Sequence, residues 1–191
     1  MSKIRTAIFG GSFDPIHNGH IALARAVRDK GLADEVWFLI TPLNPHKQGK
    51  LLTDENLRLQ MAQLALVGEN ALVASDFEFS LPRPSYTINT LDALEKNYPC
   101  REFLLLMGAD NWHKIDKWYK SDEILARFGV IVYPRDGEEV PPLPPQAQWL
   151  DCPLYDISST EIRNALADGG DMSQWLHPDV QTFIEKEGLY K

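Results

Sequence analysis

Cysteine is nearly missing from this chain: among 191 residues only Cys100 and Cys152 carry thiols, far apart and without a CxxC partner. Two lone thiols support neither a disulfide framework nor a thiolate zinc knot. Positive charge is also scarce, with 19 Lys and Arg against 27 Asp and Glu, a formal net charge of −8. A protein that grips a long nucleic acid carries a basic footprint, so no nucleic-acid polymer is expected as a partner. A small basic pocket for a mononucleotide remains compatible with an acidic average. No run approaches the apolar length of a membrane span, and the start, MSKIRTAIFGG, lacks the apolar core of a signal peptide. A cytoplasmic protein with no membrane contact is the expectation. Oligomeric state is not readable, and a homo-oligomer stays open.

What is present is ordinary for a globular protein: 44% hydrophobic and 24% charged residues. The length suits a single domain, expected over residues 1–191. Short apolar runs at 4–9, 35–40, 71–75, 102–107 and 130–133, with a weaker one at 147–150, read as strands. Between them, helical spacing appears at 19–30, from a cap at Thr53 or Asp54 through Leu66, and at 86–97. Two further helices are predicted at 159–167 and 178–187. The segment EEVPPLPP within 136–146 is too rich in proline for a helix and reads as a surface excursion. Strands alternating with helices predict an α/β, doubly wound, mostly parallel sheet of five or six strands with helices on both faces. Ligands of such sheets gather beyond the C-terminal strand ends, so the loops after Phe9, Ile40, Ser75, Met107 and Tyr133 are the places to search.

The first of these loops, GGSFDPIHNGH, carries the richest chemistry. Gly10 and Gly11 follow a strand directly, which lets backbone N–H groups approach a phosphate. His17 and His20 bracket the start of the next helix, where the positive end of the macrodipole favours an anion. Histidines there can donate to a triphosphate and follow charge as it develops. Gly19 leaves room for a nucleobase or ribose. Blander readings exist: a glycine pair before Asp-Pro is often only a turn, and two histidines three apart lack the third ligand of a zinc site. Asp14 either shapes the turn or reaches Mg²⁺ through water. Near the other end, Ile157-Ser158-Ser159-Thr160-Glu161-Ile162-Arg163 combines helix-capping hydroxyls with an arginine fork. Two anion-binding helix starts can clamp one triphosphate from both sides.

These two segments resemble the HxGH and ISSTxIR motifs of the nucleotidyltransferase superfamily, and GGSFDPIHNGH in full resembles its nicotinate mononucleotide adenylyltransferase branch. The likeness spans residues 3–190. It implies a Rossmann-like nucleotidyltransferase fold in which C-terminal helices, about 158–187, close the nucleotide site. It implies an enzyme moving the adenylyl group of ATP, with Mg²⁺, onto nicotinate mononucleotide, releasing pyrophosphate and deamido-NAD. His17, His20 and Arg163 take the catalytic roles by this resemblance. Gly10, Gly11, Ser12, Phe13, Gly108, Asp110, Arg135, Ile157, Ser158 and Ser159 join them around the nucleotide. The loop bearing Asn44, His46 and Lys47 resembles the family's Pro-His-Lys loop, and Tyr86-Thr87 opens a segment similar to its SYTxxTL motif. Free N–H groups at that helix start favour a carboxylate, and Trp118 fits the position of a ring-stacking tryptophan, with Trp112 as competitor. No residue is assigned as a metal ligand. The chain departs from the family's Arg-x-Gly before SYT, reading Ser80-Leu81-Pro82-Arg83-Pro84. Alternatives kept open are transfer to nicotinamide mononucleotide or phosphopantetheine, a non-catalytic nucleotide-binding module, and an aromatic single-strand binder.

Overall fold

The computed structural model describes residues 2–42, 52–135 and 142–191. Asn44, His46 and Lys47 therefore lie outside the described residues, as do residues 136–141 of the proline-rich segment. The elements run β1 (Ile4–Gly11), α1 (Asn18–Asp29), β2 (Glu35–Ile40), α2 (Glu55–Ala65), β3 (Leu72–Ser75) and α3 (Thr87–Asn97). They continue with β4 (Arg101–Gly108), α4 (Ala109–Trp112), α5 (Ser121–Arg127), β5 (Gly129–Tyr133), β6 (Ala147–Trp149), α6 (Ser159–Ala167) and α7 (Pro178–Glu187). Six strands form one sheet in the order β3-β2-β1-β4-β5-β6, and each described pairing is parallel. The expected doubly wound architecture is present, in its six-stranded form.

The strands read as unbroken apolar runs because both faces are covered, and successive side chains alternate between them. Ala7, Phe9, Leu104 and Leu106 pack with α1, α2, α6 and α7, whereas Ile8, Phe103, Leu105 and Met107 pack with α3, α4 and α5. The chain leaves β1 toward β2 and β3, then returns to place β4 on the other side of β1. That reversal makes the C-terminal ends of β1 and β4 the switch point, where neighbouring connections part and leave a crevice. Gly10-Gly11 and Gly108 close those two strands.

Sequence reading missed α5. Seven residues with one buried apolar side chain, Ile124, give too short a pattern to separate from a loop. The short helix after β4 begins at Ala109 and ends at Trp112. Gly31 follows the end of α1 with φ +67, in the left-handed region. Within residues 80–84, the Arg83–Pro84 bond is cis and Arg83 pairs with Glu55 at 2.6 Å, tying this segment to the start of α2.

One side chain fastens the loops around the crevice. Arg58 of α2 is only 1% exposed. Its guanidinium donates to the carbonyls of Ser12 (2.6 Å), Thr41 (3.0 Å), Pro42 (3.3 Å) and Thr53 (2.8 Å). Beside it, the buried Asp14 carboxylate accepts the Thr53 N–H at 3.2 Å and the Tyr190 hydroxyl. Burial raises the Tyr190 pKa and the nearby Asp14 charge raises it further, so the phenol stays a donor. The oxygens of Asp14 thus bind Thr53 and Tyr190, in keeping with the turn-shaping alternative of the two readings of this residue.

Replacing Arg58 by Met leaves those carbonyls without their donor in a site that water does not reach. Loss of a buried charged partner costs about 3–5 kcal/mol. For a chain of this size that corresponds to a fall in Tm of roughly 10 °C. Thermal melts of the purified variant check it, and a fall below about 2 °C would show that the cross-link carries little weight.

Candidate active site

Above the switch point the crevice divides into two chambers. One, of about 490 Å³, is walled by His17, His20, Asp110, Lys114, Arg135 and residues 158–160 and 163, among others. The other, of about 400 Å³, is walled by Glu78, Ser85, Tyr86, Thr87, Thr90, Met107, Gly108 and Tyr119, among others. Phe9, Gly10, Gly11, Asn111, Lys117, Trp118 and Tyr133 border both. A Cβ on Gly10 would meet nothing within 4 Å, so this backbone faces open cleft.

In the histidine chamber, His17 caps α1 and is 5% exposed. Burial lowers its pKa to about 4, and the charge of Arg135 pushes the same way against Glu161. At neutral pH the imidazole is therefore uncharged. Its Nδ1 is buried with no hydrogen-bond partner among the described residues. His20 stacks on it at 3.7 Å, and His20 Nδ1 accepts the His17 backbone N–H at 3.3 Å. The His20 ring meets the edges of Phe13 at 5.0 Å and Phe9 at 5.8 Å. Phe13 adopts φ 47 and buries its ring against Phe9 and Phe38, so it supports His20 from the core side. Gly19 has a different use from the expected one. A Cβ there would come within 3.1 Å of His17 Nδ1 and 3.2 Å of Tyr155 Cβ, so the glycine makes room for His17 rather than for a base.

The start of α6 closes the opposite wall. Ser158 accepts the Glu161 N–H at 3.2 Å while Glu161 accepts the Ser158 N–H at 2.7 Å, a capping box. The Ser159 hydroxyl donates to the Pro15 carbonyl at 2.9 Å, and Arg163 donates to the Asp14 carbonyl at 2.6 Å. The two segments singled out at opposite ends of the sequence are therefore bonded to one another. Arg135 and Asp110 lie 3.7 Å apart on the third side. Gly108 permits this, because a Cβ would sit 2.4 Å from Asp110 Oδ1 and 3.1 Å from Arg135 Cγ. Ile157 packs at the edge of the core and borders neither chamber.

The tyrosine chamber lies at the start of α3. Tyr86 precedes the helix and among the described residues no side chain caps it, which leaves first-turn N–H groups without a described side-chain partner. The Tyr86 ring leans on Tyr119 with centroids 4.9 Å apart. Trp118 borders the cleft, whereas Trp112 is 8% exposed within the core. Sequence reading missed Glu78. Its carboxyl accepts the Thr90 hydroxyl at 2.8 Å, and burial pushes its pKa up against the hydrogen bonds of Thr90 and Thr41. Asn111, Lys114 and Lys117 were also missed; the only signal was lysines three apart beside tryptophans in NWHKIDKW. Among the described residues no group of three His, Cys, Asp or Glu could hold a metal ion. The same residues include no helix long and apolar enough to cross a membrane.

Comparison with known proteins places this geometry. A cytidylyltransferase-like family model matches residues 8–165. A probable nicotinate-nucleotide adenylyltransferase of Bacteroides fragilis is 50% identical over 182 residues, covering 94% of this chain and 90% of the relative. This chain belongs to the nicotinate-nucleotide adenylyltransferase family. A second member, the probable enzyme of Bacteroides thetaiotaomicron, is 43% identical over 97% of this chain and 93% of its own length. A solved structure of Plasmodium falciparum nicotinic acid mononucleotide adenylyltransferase complexed with NaAD superposes with a TM-score of 0.81. It covers 98% of this chain and 97% of its own, and at 20% identity the likeness speaks to the fold. The family's Rossmann-like nucleotidyltransferase architecture is thus the one seen here.

The buried neutral His17 gives a pH prediction. Its folded pKa lies below the unfolded value of 6.5, so the unfolded chain takes up the proton first as pH falls. Stability is retained above that value and lost toward pH 4, by about 3 kcal/mol from this group. Melts of the wild type and His17→Gln from pH 7.5 to 4.5 should diverge, the variant losing less on acidification. Parallel curves would contradict the burial effect.

Proposed function

We propose that the chain transfers the adenylyl group of ATP to nicotinate mononucleotide, giving nicotinate adenine dinucleotide and pyrophosphate. The observation that carries this reading is the paired chamber: one side framed by two helix starts, histidines and arginines, the other by an uncapped helix start and Trp118. A triphosphate suits the first and a planar anionic ring the second. On this reading His17, His20 and Arg163 are catalytic. Gly10, Gly11, Ser12, Phe13, Gly108, Asp110, Arg135, Ser158 and Ser159 shape the nucleotide site. Ile157 serves it only indirectly, by supporting the turn into α6, and α6 with α7 closes it within a single domain. Tyr86, Thr87 and Trp118 receive the pyridine ring, while Asn44, His46 and Lys47 are proposed for the acceptor's phosphate end.

An acceptor phosphate oxygen forms a bond to the α-phosphorus of ATP. The bond from that phosphorus to the bridging oxygen breaks, and the electron pair leaves with pyrophosphate. The nucleophile is already ionised at neutral pH, so no general base is required. Alignment and charge stabilisation then supply the rate. Neutral His17 keeps one ring N–H that can donate to an anion. With no acidic cluster among the described chamber residues, Mg²⁺ fits as part of the MgATP substrate, where it neutralises phosphate charge.

A panel of nicotinate mononucleotide, nicotinamide mononucleotide and phosphopantetheine with MgATP tests the reading through pyrophosphate release. Preference for the first is expected; its absence would remove the acceptor assignment, and binding without turnover would favour a non-catalytic module. His20→Ala should lower kcat by roughly 100- to 1,000-fold with acceptor KM little changed. Near-normal turnover in that variant would contradict the transition-state role.

A further inference from the structure

We propose that Lys117 is a further catalytic residue, its ammonium group contacting the acceptor phosphate as that phosphate attacks the α-phosphorus. The inference rests on the functional reading above. If the ring occupies the tyrosine chamber and the triphosphate the histidine chamber, the reacting phosphates meet at the wall both chambers share. Among the described residues on that wall, Lys117 is the one charged side chain. Its polar neighbours there are Asn111 and the phenol of Tyr133, which burial keeps protonated.

Two anionic phosphates brought together with water excluded repel one another, and an interposed cation relieves that repulsion most where the new bond forms. Among the described residues the other basic groups of the cleft are placed differently. Arg163 is tied to the Asp14 carbonyl at 2.6 Å, Arg135 faces Asp110 at 3.7 Å, and Lys114 borders the histidine chamber alone. Among the described residues Lys117 forms no ion pair, whereas Lys120 pairs with Glu123 and Arg135 faces Asp110. Its backbone is nevertheless fixed. It ends a 3-10 turn over Ile115–Lys117, donates to the Lys114 carbonyl at 3.0 Å, and follows Ile115, whose side chain is buried in the core. A mobile four-carbon stem on a fixed base can follow the phosphate through the reaction. In the step itself the acceptor oxygen bonds to phosphorus and pyrophosphate departs with the electron pair. The ammonium keeps its three protons throughout.

The test compares wild type, Lys117→Met and Lys117→Arg in pyrophosphate release. It adds equilibrium binding of nicotinate mononucleotide, of its dephosphorylated riboside, and of α,β-methylene-ATP. Lys117→Met should lower kcat/KM for nicotinate mononucleotide by roughly 10- to 100-fold, with partial rescue by Arg. The binding advantage of the mononucleotide over the riboside should shrink by roughly 10-fold, while ATP-analogue affinity moves less than about threefold. Equal loss for mononucleotide and riboside would mark a merely structural residue and overturn the proposal, as would wild-type kinetics in Lys117→Met. If the wild type itself releases no pyrophosphate with nicotinate mononucleotide, the functional reading falls, and the role of Lys117 falls with it. Active wild type beside an unaffected variant would sink the lysine alone.

Discussion

The buried guanidinium of Arg58 is the constraint on which the cleft depends. A parallel sheet supplies a crevice wherever its strand order reverses, but the crevice is framed by loops, and loops have few bonds of their own. Arg58 gathers carbonyls from the loop after β1 and from both flanks of residues 43–51 into one side chain. Asp14 lies next to it and offsets part of the cost of burying its charge. Tyr190, one residue from the last, completes the set through Asp14. The path from Arg58 to His17 is short, because Ser12 and Asp14 belong to the same turn that delivers the histidine to α1. Arg163 and Ser159 hold the other side of that turn through the carbonyls of Asp14 and Pro15. The loop is therefore pinned from α2, from α6 and from the C-terminal tail, which is the kind of support that a catalytic group needs to hold its position without a bound ligand.

Electrostatics in the cleft runs against the average of the molecule. The chain carries a net charge of −8, yet Lys114, Lys117, Arg135 and Arg163 converge on the histidine chamber. Local potential is set by the nearest charges and by the low-polarity walls, with the distant acidic surface screened by solvent and salt. That cationic setting also explains the neutral His17. Burial removes water from the imidazole and Arg135 repels its proton, so the ring enters the resting site uncharged. An arriving polyanion reverses the second effect, since negative charge beside an imidazole favours its protonated form. On the proposed reading the histidine pair can gain positive character in step with the substrate, and stays neutral when the chamber holds none.

Much of this was legible in the sequence, and for identifiable reasons. Strands covered on both faces are long apolar runs, so β1, β2 and β4 announced themselves, and their loops located the cleft. GGSFDPIHNGH and ISSTEIR carry their chemistry in contiguous residues, and the helix starts that they predict are present at Asn18 and Ser159. What could not be read depends on contacts distant in sequence. Glu78 looked like one more polar residue in a loop until Thr90, twelve positions on, met its carboxyl. Gly19 was read as space for a ligand because sequence does not show Tyr155 arriving against it. Arg58 had no motif at all: a lone arginine in an amphipathic helix reads as solvent-facing, and its partners are backbone carbonyls that no sequence pattern records.

The helix starts themselves divide into two kinds, and the difference bears on which acceptor the cleft suits. In α2, α6 and α7 a side chain of Asp54, Ser158 or His177 accepts a first-turn N–H, and at α1 His20 accepts the His17 N–H. Among the described residues no side chain caps α3, nor the short α4 and α5, but α3 is 11 residues long and opens on a chamber lined by Trp118 and Thr87. Unclaimed donors in a partly dry site discriminate between groups of nearly equal size. A carboxylate offers only acceptors, whereas a carboxamide turned the wrong way presents its own N–H groups to the helix and leaves donors facing donors. The balance holds only while nearby charge does not oppose it. Glu78 borders this chamber, and an ionised carboxylate there would repel the anion that the helix end attracts. Burial pushes its pKa up, which lessens that opposition to the helix dipole, and on the proposed reading the chamber then favours the acid over the amide.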